Sequence, residues 1–290
     1  MKKLTRRNFL TGSASMLGFS ALASCANKDL NTSEENVVRA AAAPTYVLVH
    51  GAWHGGWCWR EVRDLLRDAG ATVYTPTLTG LGERQHLTAM HKVGLQTHIQ
   101  DVVKLIEFEE LENVILVGHS YAGMVITGVA DVIGDKLSEL IYLDALVPVN
   151  GGSLIDLDNA MSDQQVEAII ASIDASPPEM LPVATLAFLG VDSDHPKAEW
   201  LLRRLTPHPI KTIADRLSFT QADHEKIKKT YIFCTEQEKS TQDQARLAAL
   251  VRQPNWNYLE IESGHDAMVT EPEKLTALFA EVQTLNTADA

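Results

Sequence analysis

The sequence predicts an α/β fold, a mostly parallel sheet with helices on both faces and a helical cap inserted above it. Three observations lead there. After Pro44, short apolar runs alternate with longer amphipathic ones; the short runs are apolar on both of their faces; and at 118–122 a turn of small residues joins one such run to a helix.

The chain of 290 residues is 45% hydrophobic, enough for a sizeable core and too apolar for disorder throughout. Its formal charge of −13 repels phosphate backbones, which excludes nucleic acid as an expected partner.

In order, "TYVLVHG" reads as a strand, 57–69 as a helix carrying Trp57, Val62, Leu65 and Leu66, and "ATVYTPTL" as the next strand. Residues 96–109 space Ile99, Val102, Val103 and Ile106 as a helix does. "NVILVG" and "ELIYLDAL" are strands flanking an apolar helix that begins at Tyr121. "TYIFCT" and "NYLEIES" close the series, and a Thr270 to Glu273 capping box opens the last helix. Between Asp144 and residue 222 the strand rhythm stops. Helical pieces ("SDQQVEAIIASI", "KAEWLLRRL") broken by prolines predict a cap insertion at about 149–222 of a domain spanning 44–290.

The first 24 residues have a basic start, a twin arginine before Phe9 and Leu10, and an apolar stretch ending in small residues. They read as a twin-arginine export signal. Leu22-Ala23-Ser24-Cys25 resembles a lipobox, which would place a lipid anchor on Cys25 and the protein in the periplasm or cell envelope; Ala21-Leu22-Ala23 also fits ordinary cleavage. Residues 25–43 read as a tether. Cys58 and Cys234 lie in apolar segments and are expected as buried free thiols.

Gly118-His119-Ser120-Tyr121-Ala122 stands where a strand ends and a helix begins, the context of a nucleophile elbow. Gly118 meets the demand for a small residue. Ala122 stands where glycine is usual, and Gly123 keeps the helix start slim. A serine hydroxyl needs a base, and of ten histidines His265 follows the final strand and precedes the final helix, on the same sheet edge as Ser120. His119 neighbours the serine and should point elsewhere. His86, His91, His195, His208 and His224 read as surface residues.

For the carboxylate that orients the imidazole, Glu238 in "CTEQEK" lies just beyond the penultimate strand and is the assigned residue. Asp144, ending "LIYLD", is the alternative, and Glu236 a third. The oxyanion that attack on a carbonyl creates needs two N–H donors, assigned to Tyr121 and to Ala52 in "HGAWHGGWCW". His50 and His54, four apart in a glycine-rich loop, do not make a metal site, and "GLGERQ" lacks the third glycine of a dinucleotide fingerprint. The chemistry calls for no metal and no cofactor. Trp53, Trp57 and Trp59 should wall an apolar pocket or fill the core, and Phe188 and Trp200 should supply apolar pocket walls from the cap.

"VLVHGAWHGGWCW", "GHSYAGM", "LIYLDALVP" and "GHDAMVTEP" together resemble the α/β-hydrolase group of plant methylesterases, hydroxynitrile lyases and bacterial carboxylesterases, pyrethroid-hydrolysing ones included. The likeness spans residues 45–285. It implies the α/β-hydrolase fold and a small-molecule ester substrate. Hydroxynitrile lyases of this group carry a lysine after the catalytic histidine and a threonine after the first-loop histidine; here those positions are Asp266 and Gly51. The resemblance therefore implies hydrolysis by a serine carboxylesterase, with a lyase, a lactonase and a non-catalytic envelope binding lipoprotein as the competing readings.

Overall fold

The computed structural model describes residues 43–89, 92–157, 180–220, 226–236 and 241–288, with isolated positions between 164 and 171. The leader, most of the tether including Cys25, His91, His224, Glu238 and most of "SDQQVEAIIASI" lie outside the described residues.

Six strands form one sheet: β1 (Thr45–Val49), β2 (Thr72–Tyr74), β3 (Val114–His119), β4 (Leu137–Leu143), β7 (Lys228–Cys234) and β8 (Trp256–Ile261). Their order is β2-β1-β3-β4-β7-β8, and every pairing is parallel. Parallel neighbours require crossovers, and helices α1 (Arg60–Asp68), α2 (Leu95–Phe108), α3 (Ala122–Ile133), α6 (Thr241–Leu250) and α8 (Pro272–Ala288) lie between or after the strands.

Both faces of the central strands β1 and β3 are buried, which is why those strands are apolar on both faces. Alternate side chains divide between two cores: Val47, Val49, Val114 and Leu116 pack with α2 and α3, while Tyr46, Leu48, Ile115 and Val117 pack with α1 and α8. Cys58 and Cys234 are buried in the second core and neither is in a disulfide, as expected.

From β1 the chain turns outward to β2, then returns to β3 on the other side and builds away from it. The order therefore reverses between β1 and β3. Loops leaving the carboxyl ends of those two strands diverge and open a crevice, the place where open parallel sheets hold ligands. The loop at 50–55 and the turn at Ser120 both leave at that crevice.

Between β4 and β7 the described residues form a small antiparallel pair, β5 (Met180–Leu181) with β6 (His208–Pro209), and two short helices, α4 (Ala198–Leu202) and α5 (Lys211–Ala214). The expected Thr270 capping box does not form. A short helix α7 (Ala267–Thr270) intervenes, and the Thr270 hydroxyl turns back to the Asp266 carbonyl instead of capping α8.

Candidate active site

Ser120 is the first residue after β3 and holds a left-handed backbone, φ 55°. For a serine that conformation costs about 1–2 kcal/mol. The surroundings fix it: the Ser120 amide donates to the Leu143 carbonyl, and its own carbonyl accepts from the amides of Gly123 and Leu146. The close approach falls at Gly123, where a Cβ would stand 1.8 Å from the Leu146 carbonyl oxygen. This explains how alanine is tolerated at 122, since the tight packing demand lies one residue later.

His265 is held from three sides. Its Nδ1 donates to Asp144 Oδ2 at 2.5 Å, its carbonyl accepts from His119 Nε2 at 2.9 Å, and the next amide, of Asp266, donates to Leu189 of the cap. With Nδ1–H committed to a carboxylate, the other ring nitrogen is left as the acceptor. Asp144 is buried, and it too begins the loop after its strand in left-handed backbone, φ 42°.

The carboxylate on His265 Nδ1 in the structure is Asp144, the alternative; Glu238, the assigned residue, lies outside the described residues. Asp144 leaves β4 at the same sheet edge where the β8 to α7 loop carries His265. Glu236, the third candidate, is exposed at the cavity rim, and its amide donates to Ser263.

Ser120, Asp144 and His265 line one cavity of about 1320 Å³ together with Ala52, Trp53, Tyr121 and Phe188. Trp53 and Phe188 meet edge to face with centroids 5.5 Å apart, and the Phe188 ring lies 6.3 Å from that of His265. Trp200 is not a cavity wall. Its ring packs against Trp57 and under the Arg204 guanidinium. Trp59 is fully buried in the core.

The loop after β1 passes so close to the elbow that a Cβ on Gly51 would stand 2.9 Å from Ser120 Cβ and from His119 Nδ1. Among the described residues the amides of Ala52 and Tyr121 take no part in the turn and loop hydrogen bonds, which are made by Ser120, Gly123, Met124 and Leu146. Tyr121 is anchored by its ring, whose hydroxyl donates to His98 Nδ1 at 3.0 Å.

Sequence reasoning weighed His50 and His54 only as metal ligands and passed over His98, and it placed His208 on the surface, where the structure buries it completely. Burial fits the residue because both ring nitrogens have partners, the Trp53 amide on Nδ1 and Thr212 Oγ1 on Nε2. His50 Nδ1 donates to the Gly51 carbonyl and its Nε2 accepts from the Leu78 amide. His98 Nε2 donates to the Thr79 carbonyl.

Each of these rings meets one donor and one acceptor, so each is neutral. Burial agrees, pushing His50 down to about 3 and His98 to about 4. Burial lowers His119 to about 3 as well, with the neighbouring His265 adding to it. His208 lies well below its ordinary value for the same reason.

His54 differs. Its Nδ1 is 2.7 Å from the Ala52 carbonyl and its Nε2 is 3.0 Å from Asp266 Oδ2, two acceptors for one ring. Burial opposes a charge here, but the Asp266 carboxylate and the two hydrogen bonds outweigh it and raise the His54 pKa. Asp266, which burial alone would raise, is held low by His54. No sequence signal announced this pair, because its members are 212 residues apart.

Among the described residues no three His, Cys, Asp or Glu side chains converge as a metal site would need.

Residues 46–278 match the model of the alpha/beta hydrolase family. A carbendazim hydrolyzing esterase of Nocardioides sp. (strain SG-4G) is 42% identical over 243 residues, 81% of this chain and 98% of that protein. Methylesterase 7 of Arabidopsis thaliana is 27% identical over 254 residues, 82% of this chain and 95% of the relative. Among solved structures, an extracellular alpha/beta-hydrolase from a Paenibacillus species superposes with a TM-score of 0.68 at 25% identity, covering 82% of this chain and 98% of that one. With a matching family model over most of its length and the sheet, elbow and histidine loop in place, the chain belongs to the alpha/beta hydrolase family.

Proposed function

We propose that this chain is a serine carboxylesterase that cleaves a small to medium apolar ester through an acyl-enzyme. The observation that carries the reading is that a serine in a left-handed elbow and a histidine whose Nδ1 is committed to a buried aspartate line the same cavity. The esterase relatives support the ester bond as the target.

In this mechanism Ser120 Oγ attacks the ester carbonyl and His265 Nε2 takes its proton. Asp144 holds the imidazole tautomer and stabilises the imidazolium. The amides of Ala52 and Tyr121 receive the oxyanion. His265 returns the proton to the departing alcohol; then it deprotonates a water that attacks the acyl carbonyl, releasing the acid and restoring Ser120.

A lyase would need a cation beside His265 to receive a leaving cyanide. The position after His265 holds a carboxylate directed at His54. That favours hydrolysis over the lyase reading.

The Nocardioides relative is named for hydrolysing carbendazim. The rings of Trp53 and Phe188 at the Ser120 cavity suit an aromatic or otherwise apolar ester in this chain too. Ser120→Ala should abolish both p-nitrophenyl ester hydrolysis and covalent labelling by a fluorophosphonate. Hydrolysis surviving at the wild-type rate in the folded variant would overturn the assignment, and failure of the wild type to label would favour a binding protein.

The charge order and small-residue end of residues 1–24 support export and lipidation at Cys25. Cys25→Ser should release the protein from the membrane fraction of an expressing bacterium. Membrane retention of that variant would rule out the anchor.

A further inference from the structure

Two peptide groups flank the Ala52 α-carbon, and a histidine grips each of them. The Gly51 carbonyl, in the same peptide as the Ala52 amide, accepts from His50 Nδ1 at 2.8 Å. The Ala52 carbonyl accepts from His54 Nδ1 at 2.7 Å, and the amide of the same peptide donates to His208 Nδ1 at 3.4 Å. The orientation of the Ala52 N–H is thus fixed by side chains on both sides.

Of the three, only His54 faces acceptors at both nitrogens, the Ala52 carbonyl and the Asp266 carboxylate. With Asp266 held ionised beside it, both nitrogens carry hydrogen and the ring is an imidazolium. Asp266 follows His265 directly. The pair therefore joins the loop that supplies an oxyanion donor to the loop that supplies the base, entirely out of solvent.

We propose that His54 and Asp266 form a buried imidazolium–carboxylate pair that is a positioning device for catalysis, holding the Ala52 amide in register with His265. The pair touches no substrate atom. It acts through Ala52 on one side and through the backbone of His265 on the other. This rests on the serine esterase reading above.

The groups around the pair do not compete for its proton. His119, with ring centroids 6.2 Å from His54, is neutral and donates to the His265 carbonyl. Trp57 covers the imidazole at 5.4 Å. His50 and His208 are neutral, and the Cys58 thiol, raised by burial and by Asp266, stays protonated.

The test uses the full chain with p-nitrophenyl butyrate, together with fluorophosphonate labelling. His54→Gln should lower kcat on the order of 10²-fold, the effect of misaiming one oxyanion donor, with KM within about threefold. Asp266→Asn should act in the same direction, and the double variant should be no worse than the poorer single one, since the two act as a unit. Nitrogen-15 NMR of the wild type near pH 6.5 should show His54 protonated at both nitrogens, and Asp266→Asn should return it to a neutral ring.

Wild-type protein that labels at Ser120 while folded His54→Gln keeps full kcat would overturn the positioning role alone. So would a neutral His54 in the wild-type spectrum, which decides the matter even where the variants fail to fold. Wild-type protein that does not label at all would instead sink the esterase reading.

Discussion

Ser120 and Asp144 leave adjacent strands in the same manner, each the first residue past its strand and each in left-handed backbone, at φ 55° and 42°. The two turns are stitched together, with the Ser120 amide on the Leu143 carbonyl and the Leu146 amide on the Ser120 carbonyl. The proposed nucleophile and acid are therefore parts of one hydrogen-bonded corner, to which His265 is brought from the far end of the chain.

Asp144→Asn tests that corner without breaking it, because asparagine also accepts left-handed backbone. The amide can no longer stabilise an imidazolium and favours the wrong tautomer, so kcat should fall roughly 10⁴-fold, as in other serine-histidine-aspartate sites. Glu238→Gln should leave kcat within about twofold. Steady-state kinetics on one ester decide it, and the opposite ranking would return the acid to Glu238.

The sheet and most of its helices were readable because each is periodic over a length that only one kind of element satisfies, apolar runs of strand length and Ile99-Val102-Val103-Ile106 at helical spacing. Ser120 was readable because strand, small residues and helix meet there. The carboxylate on His265 was not, because two strand ends offered carboxylates and only the folded chain shows that Asp144 meets the imidazole. His208 looked solvent-facing beside prolines. Its burial depends on Thr212, one helical turn on, and on Trp53 from a loop 155 residues away.

Gly123→Ala should expose how tightly the corner is packed. Its methyl would enter the Leu146 carbonyl, backbone that cannot step aside without disturbing the Leu146 to Ser120 hydrogen bond. Overpacking of this kind costs about 1–3 kcal/mol, and activity should fall with stability because Ser120 shares the displaced segment. Urea denaturation combined with kinetics checks this, and a variant with unchanged midpoint and kcat would show that the corner yields freely.

Acid should unfold this protein steeply. His50, His98, His119 and His208 are neutral in the fold with pKa values pushed down by burial, to about 3, 4 and 3 for the first three, whereas in the unfolded chain they titrate near 6.5. Between those limits the unfolded state binds more protons, so stability is full above about pH 6.5 and is lost as pH falls. Each group contributes a slope of about 1.4 kcal/mol per pH unit, so the four together give about 5 kcal/mol per unit near pH 5. His54 has the opposite sign: its raised pKa stabilises the fold below about 6.5 and that contribution fades as pH rises through the folded value. Urea midpoints measured from pH 8 to pH 4 should collapse below about pH 5.5. A flat profile down to pH 4 would mean that the buried rings can charge in place.

Phe188 ties the cap to substrate choice. The residue is 57% exposed, and its ring meets Trp53 edge to face and stands 6.3 Å from the His265 ring. A half-exposed aromatic at the cavity has apolar surface left to bury, and an aromatic acyl or alcohol group would cover it. Complete burial of such a side chain is worth about 1.5–3 kcal/mol, so covering the remaining half gives roughly 1 kcal/mol to aromatic substrates and little to small ones. Phe188→Ala should therefore raise KM for a naphthyl ester about fivefold while leaving kcat and the kinetics of ethyl acetate nearly unchanged. Equal losses on both esters would mean that Phe188 supports the cap or His265 and has no part in recognising the ring.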